Sequence, residues 1–232
     1  SAKTRRLTGA EALVRRIKPD GTIVSPIDFI PVYEKSGLIS RLDRYIWEQA
    51  AAKLGEWKKV GINMSISVNI SPKDFYYIDI FNTFAGLIKK YDIEPSNLKI
   101  EITETTIMSD VPNLMGELEE LRKAGFTIEM DDFGSGYSSL NTLKDINVDV
   151  LKVDMGFIKE TKNVKKSRII LASVIKMAKE LNLLIITEGV ETEEQVDNLT
   201  KLGCDVFQGY YFSKAIDVNE FEKRYLYRKK AG

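Results

Sequence analysis

Short β-branched runs alternate with amphipathic helical stretches along this chain, and that alternation constrains its fold more than any other feature. It is the pattern of repeated βα units around a parallel sheet, because two parallel strands need a crossover long enough to hold a helix. Seven runs read as strands: Thr8 to Leu13, Ser65 to Ile70, Leu98 to Thr103, Thr127 to Asp131, Val150 to Val153, Leu184 to Thr187 and Val206 to Tyr210. Between them, Ile46, Ala50, Leu54 and Trp57 make one helical stripe, and Leu114, Leu118 and Leu121 a second that stops at Gly125. Ile170, Val174, Met177 and Leu181 make a third. Thr192 and Gln195 have capping-box spacing and open a helix carrying Val196, Leu199 and Leu202, closed by Gly203. Seven strands are one fewer than a closed eight-stranded barrel needs, and an open doubly wound sheet satisfies the same periodicity. No Pro- or Ser-rich joint and no fixed-period repeat interrupts the 232 residues, so a single α/β domain is the simplest organisation.

Composition removes whole classes of chemistry. There is no histidine, which excludes Ser-His-Asp and Cys-His triads and all imidazole metal sites, and the one cysteine, Cys204, excludes disulfides and thiolate zinc clusters. Any metal must be held by oxygen. The 34 basic and 34 acidic side chains balance, which argues against a partner such as a DNA or RNA polymer or an anionic membrane surface, but not against a small charged ligand. The most apolar helical stretch, Ile169 to Leu184, is interrupted by Lys176 and Lys179, so no segment is expected to span or touch a membrane, and no signal peptide is visible. An opening at Ser1 rather than at Met suggests an excised domain.

The informative residues stand at the C-terminal ends of the expected strands: Glu11, Asn69, Glu101 with Glu104 just beyond, Asp131 and Asp132, Lys152 and Asp154, Glu188, and Gln208. In a parallel barrel such ends meet on one face. Carboxylates gathered there repel one another unless cations lie among them, and hard oxygen donors favour magnesium, manganese or calcium. Any one of these residues is more simply a turn former or helix cap, and Lys152 and Asp154, two apart on one strand face, could be only an ion pair in the core. Seven strand ends in succession are harder to attribute to turns. Asp132-Phe133-Gly134 spells a kinase magnesium motif, but the catalytic loop that goes with it needs a histidine; Gly134-Ser135-Gly136 lacks the third glycine of a dinucleotide fingerprint.

Taken in order, the motifs resemble those of EAL domains, the cyclic di-GMP phosphodiesterases, across essentially the whole chain. Glu11-Ala12-Leu13 is the name-giving motif. Phe29-Ile30-Pro31, Glu34 to Ile39, Val68 to Ser71, Glu101 to Glu104, Asp131 to Leu140, Leu151 to Asp154, Glu188 to Thr192 and Gln208 to Phe212 follow in the family's sequence. The resemblance implies an α/β fold, a modified TIM-type (β/α)8 barrel. The family begins with a helix and a strand that this sequence lacks, so the expectation is a single EAL domain over residues 1–232, short of its first helix and strand.

The resemblance also implies roles. Glu11, Asn69, Glu101 and Asp131 match ligands of one divalent ion, Mg2+ or Mn2+, and Asp131 with Asp132 those of a second. Lys152 matches the lysine that holds the nucleophilic water, and Glu188 a glutamate needed for metal binding and catalysis. Leu13, Arg15, Asp154 and Gln208 match substrate contacts, and Arg15 suits a phosphate because its planar fork donates two hydrogen bonds. Glu104 matches the anchor of the loop Phe133 to Ser139, which with its adjoining helix implies a homodimer interface. The expected reaction is hydrolysis of cyclic di-GMP to linear pGpG by a two-metal mechanism, in the cytoplasm, under a regulatory sensor domain of a longer, in some relatives membrane-anchored, parent. A binding-only receptor is the alternative, and an unrelated metal-dependent barrel acting on a phosphorylated metabolite a third reading. Arg16, Thr187 and Ala215 stand where the family usually has Trp, Ala and Pro.

Overall fold

The computed structural model describes residues 1–109, 111, 113–134, 143–144, 146–156 and 164–227. The chain packs as two compact units, one built on Gly9–Asp131, the other on Ser1–Thr8 and the chain from Asp132 onward, apart from residues 138–148, which go with the first.

In the first unit, β1 (Gly9–Glu11), β4 (Ser65–Asn69), β5 (Leu98–Thr103) and β6 (Ile128–Asp131) pair in that order, all parallel. A two-stranded antiparallel ribbon, β2 (Arg16–Ile17) and β3 (Ile23–Val24), precedes the helices α1 (Pro26–Ser36) and α2 (Ile39–Lys59). The crossover from β4 to β5 carries α3 (Asp74–Tyr77) and α4 (Ile80–Tyr91), and α5 (Glu104–Ile107) and α6 (Leu114–Lys123) lead from β5 to β6. Most of the expected α2 stripe is inward: Ala50, Leu54 and Trp57 are buried, with Trp47 beside them, and Ile46 is half-buried. Trp47 meets Phe84 of α4 at 4.9 Å between ring centroids, and Phe84 meets Phe126 edge-on at 5.8 Å. Burying rings of this size is worth about 1.5–3 kcal/mol each. Gly55 lets α2 approach the end of α4: a Cβ there would lie 2.8 Å from the Tyr91 carbonyl oxygen.

In the second unit, β7 (Val150–Asp154), β8 (Leu184–Glu188) and β9 (Val206–Phe207) are again parallel neighbours. They alternate with α7 (Val164–Glu180) and α8 (Glu193–Leu202), and a short helix, α9 (Val218–Phe221), follows. The capping box at α8 forms as expected, Thr192 Oγ1 accepting from the Gln195 N–H and Gln195 reaching back to Thr192, and Gly203 ends the helix in the left-handed region. The α7 stripe is displaced by one residue. Leu171, Ile175 and Ala178 face inward at 3% exposure or less, whereas Ile170 and Leu181 are 39% and 52% exposed. Ile169, Ile170 and Leu171 are all apolar, so the period alone leaves the face open. The small side chains Ser167 and Ala178 sit on the buried side, where they allow close approach to the sheet.

Every strand expected from the sequence is present. Strands β5 and β6 also carry charge inward: Lys99 Nζ of β5 contacts Glu129 Oε1 of β6 at 2.8 Å, with the glutamate 1% exposed. Breaking such a pair leaves a carboxylate in low dielectric without its counter-ion. Lys99→Met is expected to cost about 3 kcal/mol in urea denaturation, and Lys99→Met with Glu129→Met to recover most of it. A loss near zero for the single variant would show that the pair is energetically silent.

Candidate active site

Each unit presents polar side chains where its strands end. In the first, the register aligns Asn69 of β4 with Glu101 of β5 and Thr103 of β5 with Asp131 of β6. Asn69 Nδ2 donates to Glu11 Oε1 at 3.2 Å, which ties β4 to β1 through two of the expected ligands. Glu101 is fully buried, and Glu104, at 1% exposure, opens α5 behind an N-cap at Thr103 that accepts the Thr106 N–H. The main chain at Asn69 is also held from behind: Trp47 Nε1 of α2 donates to the Asn69 carbonyl oxygen at 2.9 Å. Leu13 and Arg15 lie in the exposed segment after β1, and Arg15 Nη1 donates to the neighbouring Val14 carbonyl at 2.8 Å.

The chain enters the second unit at Asp132, an exposed residue in the left-handed region with φ 56°, a conformation Asp tolerates better than most side chains. Phe133 N donates to the Lys152 carbonyl at 3.3 Å, so this turn is stitched to β7. Lys152 is buried, and its ammonium contacts Glu188 Oε1 of β8 at 2.8 Å. The lysine therefore pairs across the sheet rather than with Asp154 on its own strand. Asp154, aligned with Glu188 in the register, is exposed and accepts the Gly156 N–H at 2.7 Å. Gln208 follows β9: its N–H donates to the Thr187 carbonyl at 2.9 Å, and its carbonyl accepts Val190 N–H at 3.1 Å.

The donors at these strand ends are carboxylates, an amide oxygen and an ammonium, with no sulfur or imidazole among them, and a fully buried carboxylate such as Glu101 is a costly group in a protein with no use for it. That set fits a hard divalent cation. Among the described residues no group of three acidic or thiol side chains is close enough to grip an ion as it stands. From Ser135 to Ser139 the loop linked to Glu104, and with it the expected dimer contact, lies outside the described residues.

Sequence reasoning missed the β2–β3 ribbon, although Lys18-Pro19-Asp20-Gly21 is a turn signal, with Asp20 Oδ1 accepting Thr22 N–H at 2.9 Å. It also missed Trp47 as the support of Asn69, because nothing local to either residue announces the contact.

Parallel strands joined by helices, with carboxylates, an asparagine and a lysine at the strand C-termini, define a protein of the βα-barrel class. The chain belongs to the EAL domain family, whose profile matches residues 1–215. It is 37% identical to the signaling protein YkoW of Bacillus subtilis over 96% of this chain and 28% of that protein. It is 32% identical to the cyclic di-GMP phosphodiesterase PdeR of Escherichia coli over 94% of this chain and 33% of that protein, and 33% identical to the oxygen sensor protein DosP of Escherichia coli over 94% and 28%. Among solved structures, it resembles the PaMucR phosphodiesterase in complex with c-di-GMP, with TM-score 0.84 and 34% identity over 91% of this chain and 86% of that one. The fold class is thus the (β/α)8 type that the motifs implied. The chain spans about a third or less of the length of these curated relatives.

The main chain after β9 leaves no room for substitution at Gly209, where a Cβ would lie 2.2 Å from the Val190 carbonyl oxygen and 2.3 Å from its nitrogen. Gly209→Ala is expected to push Gln208 away from β8 and to lower the thermal midpoint by about 5 °C or more. An unchanged melting curve would show that the Val190 loop yields freely.

Proposed function

We propose that this chain hydrolyses cyclic di-GMP to linear pGpG. The observation that carries the reading is the strand-end cluster that matches the family's motifs, with Asn69 of β4 aligned with Glu101 of β5, Asp131 at the end of β6, Glu101 buried and Asn69 hydrogen-bonded to Glu11. Glu11, Asn69, Glu101 and Asp131 would hold one divalent ion, and Asp131 and Asp132 would hold a second. Mg2+ or Mn2+ held there would supply positive charge against the phosphoryl oxygens and would lower the pKa of a nearby water.

The chain's own groups do the rest. Lys152, oriented by its contact with Glu188, would hold the attacking water and offset charge on the phosphoryl group. Arg15 leaves its bond to Val14 to donate two hydrogen bonds to a phosphate, with Leu13, Asp154 and Gln208 contacting the remaining substrate. Glu104, buried at the start of α5, anchors the loop after Asp132. The lengths of the relatives support a regulatory sensor domain on the same parent chain. A homodimer through the loop after Asp132 and a cytoplasmic location complete the reading. No described helix is long and apolar enough to cross a membrane.

Incubation with cyclic di-GMP and Mn2+ is expected to yield pGpG, chelation with EDTA to abolish it, and Glu11→Ala to lower turnover by at least about 100-fold. Tight binding without product would identify a receptor instead, and full activity in Glu11→Ala would refute the ligand assignment.

A further inference from the structure

The strand end that presents Asn69 is completed by a side chain from outside the sheet. On the edge of β4 that faces β1, the Ser67 carbonyl accepts the Ala12 N–H at 2.9 Å. The next acceptor along that edge is the Asn69 carbonyl, two residues further on, and β1 has by then ended at Glu11. Its donor is the indole of Trp47 in α2, with Nε1 at 2.9 Å. On the opposite edge, the Ile70 N–H donates to the Glu101 carbonyl of β5 at 3.0 Å. The Asn69 carbonyl and the Ile70 N–H belong to one planar peptide. That peptide is therefore held at both ends, by a helix on one side and a strand on the other.

We propose that Trp47 is a positioning residue for Asn69: its indole N–H takes the place of a strand donor, locks the peptide that follows Asn69, and so sets the direction in which the Asn69 amide meets a divalent cation. The proposal rests on the metal-binding role given to Asn69 above. A cation takes the oxygen of an amide, and Asn69 Nδ2 is engaged with Glu11 Oε1 at 3.2 Å, so Oδ1 is the atom offered to the ion. With the peptide locked, the Asn69 side chain leaves the main chain in one direction only.

Trp47 is suited to this role by its immobility. It is fully buried on a helix of 21 residues, and its ring packs on Phe84 of α4 at 4.9 Å, so the indole cannot turn away without opening the core. A buried indole N–H needs an acceptor in any protein. What distinguishes this one is the acceptor it takes, a main-chain oxygen of a strand-end donor, beyond the last residue of β1. Without the indole N–H, the Asn69 carbonyl must seek another donor, which twists the main chain at Asn69 and swings its side chain away from Glu11.

Trp47→Phe removes the donor, and Trp57→Phe removes the same atoms from the same helix about 15 Å further along. Both are expected to lower the thermal midpoint. In metal-free protein, only Trp47→Phe is expected to shift the proton and nitrogen-15 resonances of the Asn69 side-chain amide and to speed hydrogen exchange at the Ile70 N–H. Calorimetry should then give Mg2+ binding weaker by about tenfold or more in Trp47→Phe and unchanged in Trp57→Phe. The wild type supplies an independent reading that survives a failure of either variant to fold: saturating Mg2+ is expected to move the indole N–H resonance of Trp47 and not that of Trp57. Wild-type Asn69 resonances or wild-type Mg2+ affinity in Trp47→Phe, equal effects of the two substitutions, or a Trp47 indole resonance that ignores bound Mg2+ would each overturn the proposal. If the wild type binds no Mg2+ at all, the metal reading fails, while the Asn69 amide in metal-free Trp47→Phe still decides whether the indole positions that side chain.

Discussion

A carboxylate removed from water must find a cation, a proton or several N–H donors, and this constraint organises the molecule. Glu129 takes a lysine, Lys99, from the next strand, and Glu188 takes Lys152. Asp74 takes the backbone N–H of Ser71. The two ion pairs tie β5 to β6 and β7 to β8, and the Asp74 bond closes the turn after β4. The acidic groups that make a divalent-ion site conceivable are thus set among cross-links of the same chemistry, and the strand ends are held by charge and hydrogen bonding as well as by the apolar layer beneath them.

That apolar layer fixes where the charges can stand. Val68, Ile100, Ile102, Ile128 and Met130 are almost completely buried, and alternation along each strand sends Asn69, Glu101 and Asp131 to the opposite face from their immediate neighbours. A slip of one residue in any pairing would exchange the two sets. The parallel register is therefore what makes a polar strand end possible, and the helices outside it, α2 above all, supply the second layer of support.

Much of this was legible in the sequence. All seven parallel strands lie on the β-branched runs, with β7 and β8 running one residue further to Asp154 and Glu188, because a strand buried on both faces writes itself as a continuous apolar stretch bounded by turn residues. The capping box at Thr192 and the glycine stop at Gly203 are local chemistry and appear as written. The strand-end donors were visible because each stands near or just beyond the C-terminal end of its run. What was not visible depends on proximity across the chain: Lys152 meeting Glu188 rather than Asp154, and Trp47 supporting Asn69. The face of α7 was misjudged by one residue because three consecutive apolar side chains, Ile169 to Leu171, satisfy two stripes equally, and only the packing of Ala178 and Ser167 against the sheet chooses between them. The last strand ends at Phe207, although main-chain hydrogen bonds from Gln208 to Thr187 and from Val190 to Gln208 continue beyond it.

The ion pair of Lys99 and Glu129 joins residues 30 positions apart. Neither can be exchanged for an apolar residue alone without stranding the other in the interior, although a joint exchange would be tolerated. A route by single replacements to an uncharged interior at this point therefore passes through a less stable intermediate. The pair thus acts as a lock on its own replacement, because each single step away from it is steep, whether or not it is the best solution for the finished protein.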